Sequence, residues 1–200
     1  MKSLCQAFLQ IVNNVANSTP INVSIDEASI ATDVSFGNPT EFIGVQVGSH
    51  VITVSFDNIA LSILAKLKKG KYYTLVLTGL LSNLTQFPFQ LILLKDNRKC
   101  HGCKAQIRFV NLAAGSPHVD VYVDGKLVFR NVSFNSLKSC KWLLVCPGIH
   151  TIQVNLAGTS TVLVQSVTHY FSSQQVFTII LSGTDSTSFT IQILWAPCKH

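Results

Sequence analysis

The sequence predicts an all-β protein made of two β-sandwich modules in tandem. Three observations carry this. Apolar runs of about five to eight residues, rich in Val, Ile, Thr and Phe, recur between turn residues. No segment shows a helical period with caps, and Glu occurs only as Glu27 and Glu41. The 200-residue chain is also written twice. Residues 5–36 align with 103–134 at a constant offset of 98, setting Cys5 on Cys103, Asn13 on Asn111 and Asp26 on Asp124. Two residues are inserted in the second copy, and Gly48-Ser49-His50 then falls on Gly148-Ile149-His150. Tyr73–Gly79 falls on Phe177–Gly183, and Phe89–Ile92 on Ile191–Leu194. The expected organisation is module 1 over residues 1–97, a short joint at 98–103 and module 2 over 104–200.

In module 2 the strands are expected near 105–112, 119–124, 126–130, 142–145, 150–156, 161–169, 176–182 and 188–195. The segment 119–124 (VDVYVD) alternates strictly, so one face is buried and the other wet. Asp124-Gly125 is a hairpin turn, since both residues tolerate positive φ. Gly148 and Gly158 punctuate the chain in the same way. Seven or eight short strands in about a hundred residues make a sandwich. Module 1 reads likewise, with Glu27-Ala28 in place of the Asp-Gly turn context.

Composition narrows the function. Apolar residues make up 48% of the chain and charged residues 12%, about half the usual ~25%. Such a chain folds rather than staying disordered. Its longest apolar runs, such as 91–94 and 177–181, are far short of the roughly 20 residues of a spanning helix. The thinly charged surface suggests that part of it is covered by a partner. The net charge of +6 collects at Lys66, Lys68, Lys69 and Lys71 and at Lys95, Arg98, Lys99 and Lys104. No aromatic residues alternate with these lysines, so a nucleic-acid partner is not expected.

Catalytic and cofactor patterns are missing. There is no G-x-S-x-G elbow, phosphate loop or dinucleotide fingerprint, so no enzyme activity and no cofactor is expected. Asp26 and Asp124 read as turn residues, and His50 and His150 as packed or edge-exposed strand residues. Asn13 and Asn111 are expected to bond backbone where the first strand ends. Trp142 and Trp195 read as core by default. The repeat alignment sets Leu93 at the Trp195 position, and an exposed indole would stack on sugar rings.

The six cysteines are the most localised signal. Cys100-His101-Gly102-Cys103 is half of a zinc site, but Cys140 and Cys146 are spaced too widely for the other half. Cys5 and Cys103 open the modules, and Cys100 and Cys198 close them. If chains stacked head to tail, Cys198 of one copy would meet Cys5 of the next, and an open contact of that kind makes a filament. Intrachain pairs or buried thiols are the plain alternative. Cys140 and Cys146 occur only in module 2, where they clip one loop or bridge laterally.

Residues 104–195 carry an R-F-V-N opening, then V-D-V-Y-V-D-G-K, N-V-S-F and P-G-I-H-T-I-Q-V. This pattern resembles a bacterial surface-protein repeat labelled a domain of unknown function. The resemblance implies an extracellular immunoglobulin-like or transthyretin-like sandwich, often in tandem, and supplies no catalytic residues. Gln6, Gln10, Asn13 and Asn14 break the apolar core that an export leader starting at Met1 would need. The function expected is therefore a non-enzymatic protein of a cell or spore surface, self-assembling through sheet edges and disulfides. The alternative is a binding module for cell-wall glycan or another surface polymer.

Overall fold

The computed structural model describes residues 5–96, 99, 101–137, 141–183 and 187–198. The chain divides into two compact units, residues 1–97 and 98–200. In the first, β1 (Gln6–Asn13), β4 (Ile43–Gln46), β7 (Tyr72–Thr78) and β8 (Gln90–Lys95) form one sheet in the order β4-β1-β7-β8. The strands β2 (Ile21–Ile25), β3 (Ala28–Val34), β5 (Gly48–Phe56) and β6 (Ile59–Leu67) form a second, in the order β3-β2-β5-β6. The second unit repeats both. One sheet orders β12 (Leu143–Val145), β9 (Ala105–Asn111), β15 (Gln175–Gly183) and β16 (Phe189–Pro197). The other orders β11 (Lys126–Val132), β10 (Val119–Val123), β13 (Gly148–Leu156) and β14 (Val162–Phe171). The fold is an all-β sandwich in each unit, as expected, and the strands fall within a few residues of their expected limits.

Alternation builds each core. In β2, Ile21, Val23 and Ile25 are buried while Asn22 and Ser24 face outward. They meet Leu9 and Ile11 of β1, Leu75 and Leu77 of β7, and Ile52 and Val54 of β5. In the second unit Ile107, Phe109, Val121, Ile152, Ile179 and Leu181 take the same places. Each such side chain, fully buried, contributes about 1.5–3 kcal/mol. The first strand pairs parallel with the seventh, Leu9 opposite Tyr73, and its counterpart sets Ile107 opposite Phe177. The chain thus enters and leaves each sandwich at the same pole. Asp96 N–H bonds the Tyr72 carbonyl, and Cys198 N–H bonds Gln174, whose own N–H reaches Lys104.

Tight turns explain several sequence choices. Asp124-Gly125 turns with φ of 50° and 72°. In the first unit the equivalent turn is Asp26-Glu27, with φ of 46° and 71°. Glu27, rather than Ala28, therefore takes the glycine's left-handed place, which a side chain occupies only at a cost. At Gly79 a Cβ would lie 2.9 Å from the Phe89 Cα, so only hydrogen fits there.

One buried residue joins the two sheets of each unit. Asn13 ends β1 and is fully buried. Its Nδ2 donates to the Val34 carbonyl at the end of β3 (3.2 Å) and to Ser18 Oγ (3.0 Å), and its Oδ1 accepts from Val15 N–H (3.1 Å). Asn111 Nδ2 likewise donates to the Val132 carbonyl (3.3 Å), and its Oδ1 accepts from Ala113 N–H (3.2 Å) and from the Ser116 hydroxyl (3.0 Å). The expectation that these residues bond backbone at the end of the first strand is met. Replacing Asn111 with Ala orphans a buried carbonyl and a buried N–H, at about 1–3 kcal/mol each. Urea titration of N111A is expected to show about 2–5 kcal/mol lost from the second unit. N111D is expected to lose a comparable amount, because a carboxylate cannot donate to Val132.

Candidate functional site

Each unit carries an Asp–His pair across the β2–β5 or β10–β13 neighbours. His50 Nδ1 lies 2.7 Å from Asp26 Oδ2, and Val51 N–H donates to Asp26 Oδ1 at 2.9 Å. In the second unit the distances are 2.6 Å for His150 to Asp124 and 2.9 Å for Thr151 N–H to Asp124. The turn positions the carboxylate, because a left-handed Asp tips its side chain toward the neighbouring strand. The His50 imidazole and then the Val51 N–H hold Asp26 below the usual carboxylate range. For Asp124 the Thr151 N–H comes first and His150 second. Burial pulls His150 down, but the Asp124 carboxylate and the Cys146 carbonyl outweigh it and raise the imidazole overall. Its two ring nitrogens are occupied by Asp124 and, at 2.9 Å, by the Cys146 carbonyl. The pair therefore locks a hairpin. The turn role expected of Asp26 and Asp124 is met, and the histidines, expected as packed or edge-exposed strand residues, are their partners.

A second repeated device is a β-bulge. Asn131 (φ 52°) donates its N–H to Asp120 Oδ1 at 2.7 Å, and Asp33 (φ 55°) donates to Asn22 Oδ1 at 3.1 Å. Asp120 also accepts from Gly158 N–H at 2.9 Å. An open hollow of about 690 Å³ lies above Asp120, Tyr122, Arg130 and Gly158. Both Asp120 oxygens are committed to backbone, so this carboxylate shapes the loop.

The thiols lie at the poles. Cys5 and Cys103, just before the first strand of each unit, are exposed, and Cys198 is half-buried just after β16. Cys146 is exposed as well. Cys100 and Cys140 lie outside the described residues. No disulfide is formed among the described cysteines. Cys146 follows β12, and the ladder that pairs Val145 with Ala105 brings it opposite Lys104. Lys104 Nζ donates to its sulfur at 2.9 Å, and this contact raises the Lys104 ammonium above its ordinary range. The first unit has Gln6 opposite Gln46 at this place. No sequence pattern announces the Lys104–Cys146 contact, since the two residues are 42 apart.

The tryptophans separate. Trp142 is half-buried, with the Arg108 guanidinium 4.6 Å from its ring centroid. Arg108 is itself buried and its Nε donates to Thr178 Oγ1 at 2.9 Å. Trp195, expected in the core, is 51% exposed on edge strand β16. The ladders also correct its repeat counterpart. Phe177 pairs with Trp195, and the equivalent Tyr73 pairs with Lys95, so Lys95 stands at the Trp195 position and Leu93 does not. The sequence alignment was two residues out because the apolar runs in β8 and β16 match almost as well in either register.

The locks have a pH signature. A depressed Asp124 contributes stability above about pH 4, lost as pH falls through its lowered value. A raised His150 contributes below about pH 6.5, lost as pH rises through its raised value. The Tm of the protein minus that of Asp124→Asn is therefore expected to be largest between about pH 4 and 6.5. It should narrow at pH 8 and at pH 2. A difference constant across that range would refute the ion-pair contribution.

No curated protein matches the chain. Among solved structures, a candidate cell adhesion protein of Bacteroides uniformis aligns at TM-score 0.28 and 7% identity over 100% of both chains. A candidate cell adhesion protein of Bacteroides eggerthii aligns at 0.26 and 10% identity over 96% of both. A likeness this low transfers neither fold nor role. A family model matches twice, at residues 7–115 and 105–195, spanning nearly all of both units. The chain belongs to the family described as "Domain of unknown function (DUF4397)", of which it carries two copies.

Proposed function

We propose that this chain is a non-enzymatic structural protein of a bacterial cell or spore surface that self-assembles, with thiols at the module poles linking one copy to the next. The observation that carries the reading is the placement of the thiols. Cys5 and Cys103 are exposed at the pole where each sandwich also ends, and Cys198 closes the second unit at the same pole. Cys198 of one copy and Cys5 of another are the pair that would repeat the Cys100–Cys103 joint between chains. The Asp–His pairs, the bulges and the buried asparagines all serve the scaffold, which supports a structural role over a catalytic one. An extracellular setting suits the oxidation of exposed thiols such as Cys5 and Cys103.

Non-reducing electrophoresis with electron microscopy tests this. The unmodified protein is expected to run as a ladder that collapses on reduction, and Cys5→Ser or Cys198→Ser is expected to abolish the ladder. Particles that stay monomeric, with mobility indifferent to reductant, would sink the proposal. An intrachain bridge would show as one faster band that reductant slows, and it would remove the interchain link.

A glycan-binding reading is favoured by one observation, the half-exposed Trp195 indole. On that reading soluble cell-wall oligosaccharides quench tryptophan fluorescence saturably, and Trp195→Ala loses the response. A flat titration of the unmodified protein excludes it.

A further inference from the structure

One segment of the fold carries opposite charge in the two units. In the first, the turn residue Glu27, the edge strand β3, the connection 35–42 and the edge strand β4 make up one flank of the sandwich. Residues 27–46 hold Glu27, Asp33 and Glu41 and no lysine or arginine. In the second, residues 125–146 run through β11 to β12 along the corresponding flank. They hold Lys126, Arg130, Lys138 and Lys141 and no Asp or Glu. The ladders fix the correspondence. Ala28 pairs with Ile25 as Lys126 pairs with Val123, and Ile43 pairs with Leu9 as Leu143 pairs with Ile107. Lys126 therefore stands where Ala28 stands, Arg130 at the Thr32 position and Lys141 at the Glu41 position.

These charges act outward. Glu27, Asp33, Glu41, Lys126, Arg130 and Lys141 are all exposed, and Lys138 lies outside the described residues. None of these six is engaged in an ion pair among the described residues, whereas Asp26 and Asp124 are held by His50 and His150. Asp120, the other described acid of the second unit, is committed to backbone. The first unit is neutral as a whole, because residues 1–97 hold six Lys or Arg and six Asp or Glu. It is nevertheless polarised, since Lys66 and Lys95 lie on the opposite flank, on β6 and β8. There the second unit has exposed aromatics, Tyr170 in place of Lys66 and Trp195 in place of Lys95. Residues 98–200 hold nine Lys or Arg against three Asp or Glu, so the whole net +6 sits on the second unit.

We propose that the acidic β3/β4 flank of one copy docks against the basic β11/β12 flank of another. Charge complementarity selects a second copy as the occupant. Every chain carries both flanks, and they are opposite in sign at matched places of one fold. Two acidic flanks repel, and so do two basic ones, so the contact accepts only the unlike pair. Strand addition is not what holds it. Left-handed Asp33 and Asn131 mark bulges where the β3 and β11 ladders shift register, and a bulge blunts an edge. The contact is made by side-chain charge, which gives fast and salt-sensitive association. Joining unlike surfaces leaves one flank of each kind open, so copies add one after another until a ring closes. It rests on the self-assembly reading above and orders the copies before thiol links form.

Sedimentation in reductant isolates this contact from the thiol links. Association is expected at about 10 mM salt, where the Debye length is about 30 Å, and is expected to weaken by roughly 10-fold or more at about 1 M salt, where it is about 3 Å. Lys126→Glu/Arg130→Glu/Lys141→Glu turns the basic flank acidic, and Glu27→Lys/Glu41→Lys turns the acidic flank positive. Each variant alone is expected to associate roughly 10-fold or more weakly than the unmodified protein, and mixing the two is expected to restore association. Circular dichroism checks that they fold. Lys141→Glu alone serves if the triple variant does not. A reduced protein that is monomeric at low salt, an association indifferent to salt, or variants that fail to recover on mixing overturns the inference. So does a monomer that binds polyglutamate, because the basic flank would then take an acidic polymer. Disulfide ladders of the unmodified protein beside a reduced monomer would refute this contact and leave the thiol-linked assembly standing. Salt-sensitive association in reductant without ladders would do the reverse.

Discussion

The buried Asn at the end of the first strand is the interaction on which each sandwich depends. Two β-sheets packed through aliphatic side chains alone have no preferred offset beyond shape. An amide that donates to the facing sheet and accepts from its own outgoing loop fixes that offset. Asn13 and Asn111 do this in a fully dry setting, where an unmet bond is expensive. The loop they hold leads directly into β2 or β10, so the position of the second sheet follows from it. The hairpin lock and the bulge then sit at matching places in both units because both hang from that second sheet.

Repetition of these devices separates scaffold from adaptation. Asn13/Asn111, Asp26/Asp124 and His50/His150 occur with nearly identical geometry in both units. Their presence in duplicate argues for folding. The units differ at other places. Lys104 with Cys146 replaces a glutamine pair, and two exposed aromatics replace two lysines. The low charged fraction of 12% leaves β14 and β16 without a charged side chain, while β11, the other long edge of the second unit, keeps Lys126 and Arg130.

The sandwich, its strands and the buried asparagines were legible in the sequence, because period-two alternation and an internal repeat report directly on backbone geometry. The Asp26–His50 partnership was half legible. Both residues were visible as repeat-equivalent, but their meeting depends on which strands are neighbours, and a single chain does not state that. The Lys104–Cys146 and Arg108–Trp142 contacts were invisible for the same reason, with no second copy to highlight them. The register of the last strand was misread because Gln90 was matched to Gln192, whereas the ladders set Gln90 at the place of Thr190. That misreading hid Lys95 behind Leu93, and with it the exchange of a charge for an indole. Trp195 was expected inside because aromatic residues in strands usually are. It lies at an edge, where alternation no longer implies burial.

The entry and exit of the chain at one pole has a mechanical consequence. A pull applied to residues 6 and 95 draws β1 and β8 apart on either side of β7, at right angles to the strands. The hydrogen bonds of the β7–β8 ladder would then open one after another, as in a zipper, instead of resisting together in shear. A sandwich threaded this way is a poor load-bearing link along its own backbone. Tension in any array of such units has to be carried by bonds that bypass the ladder, at the pole or along the sides.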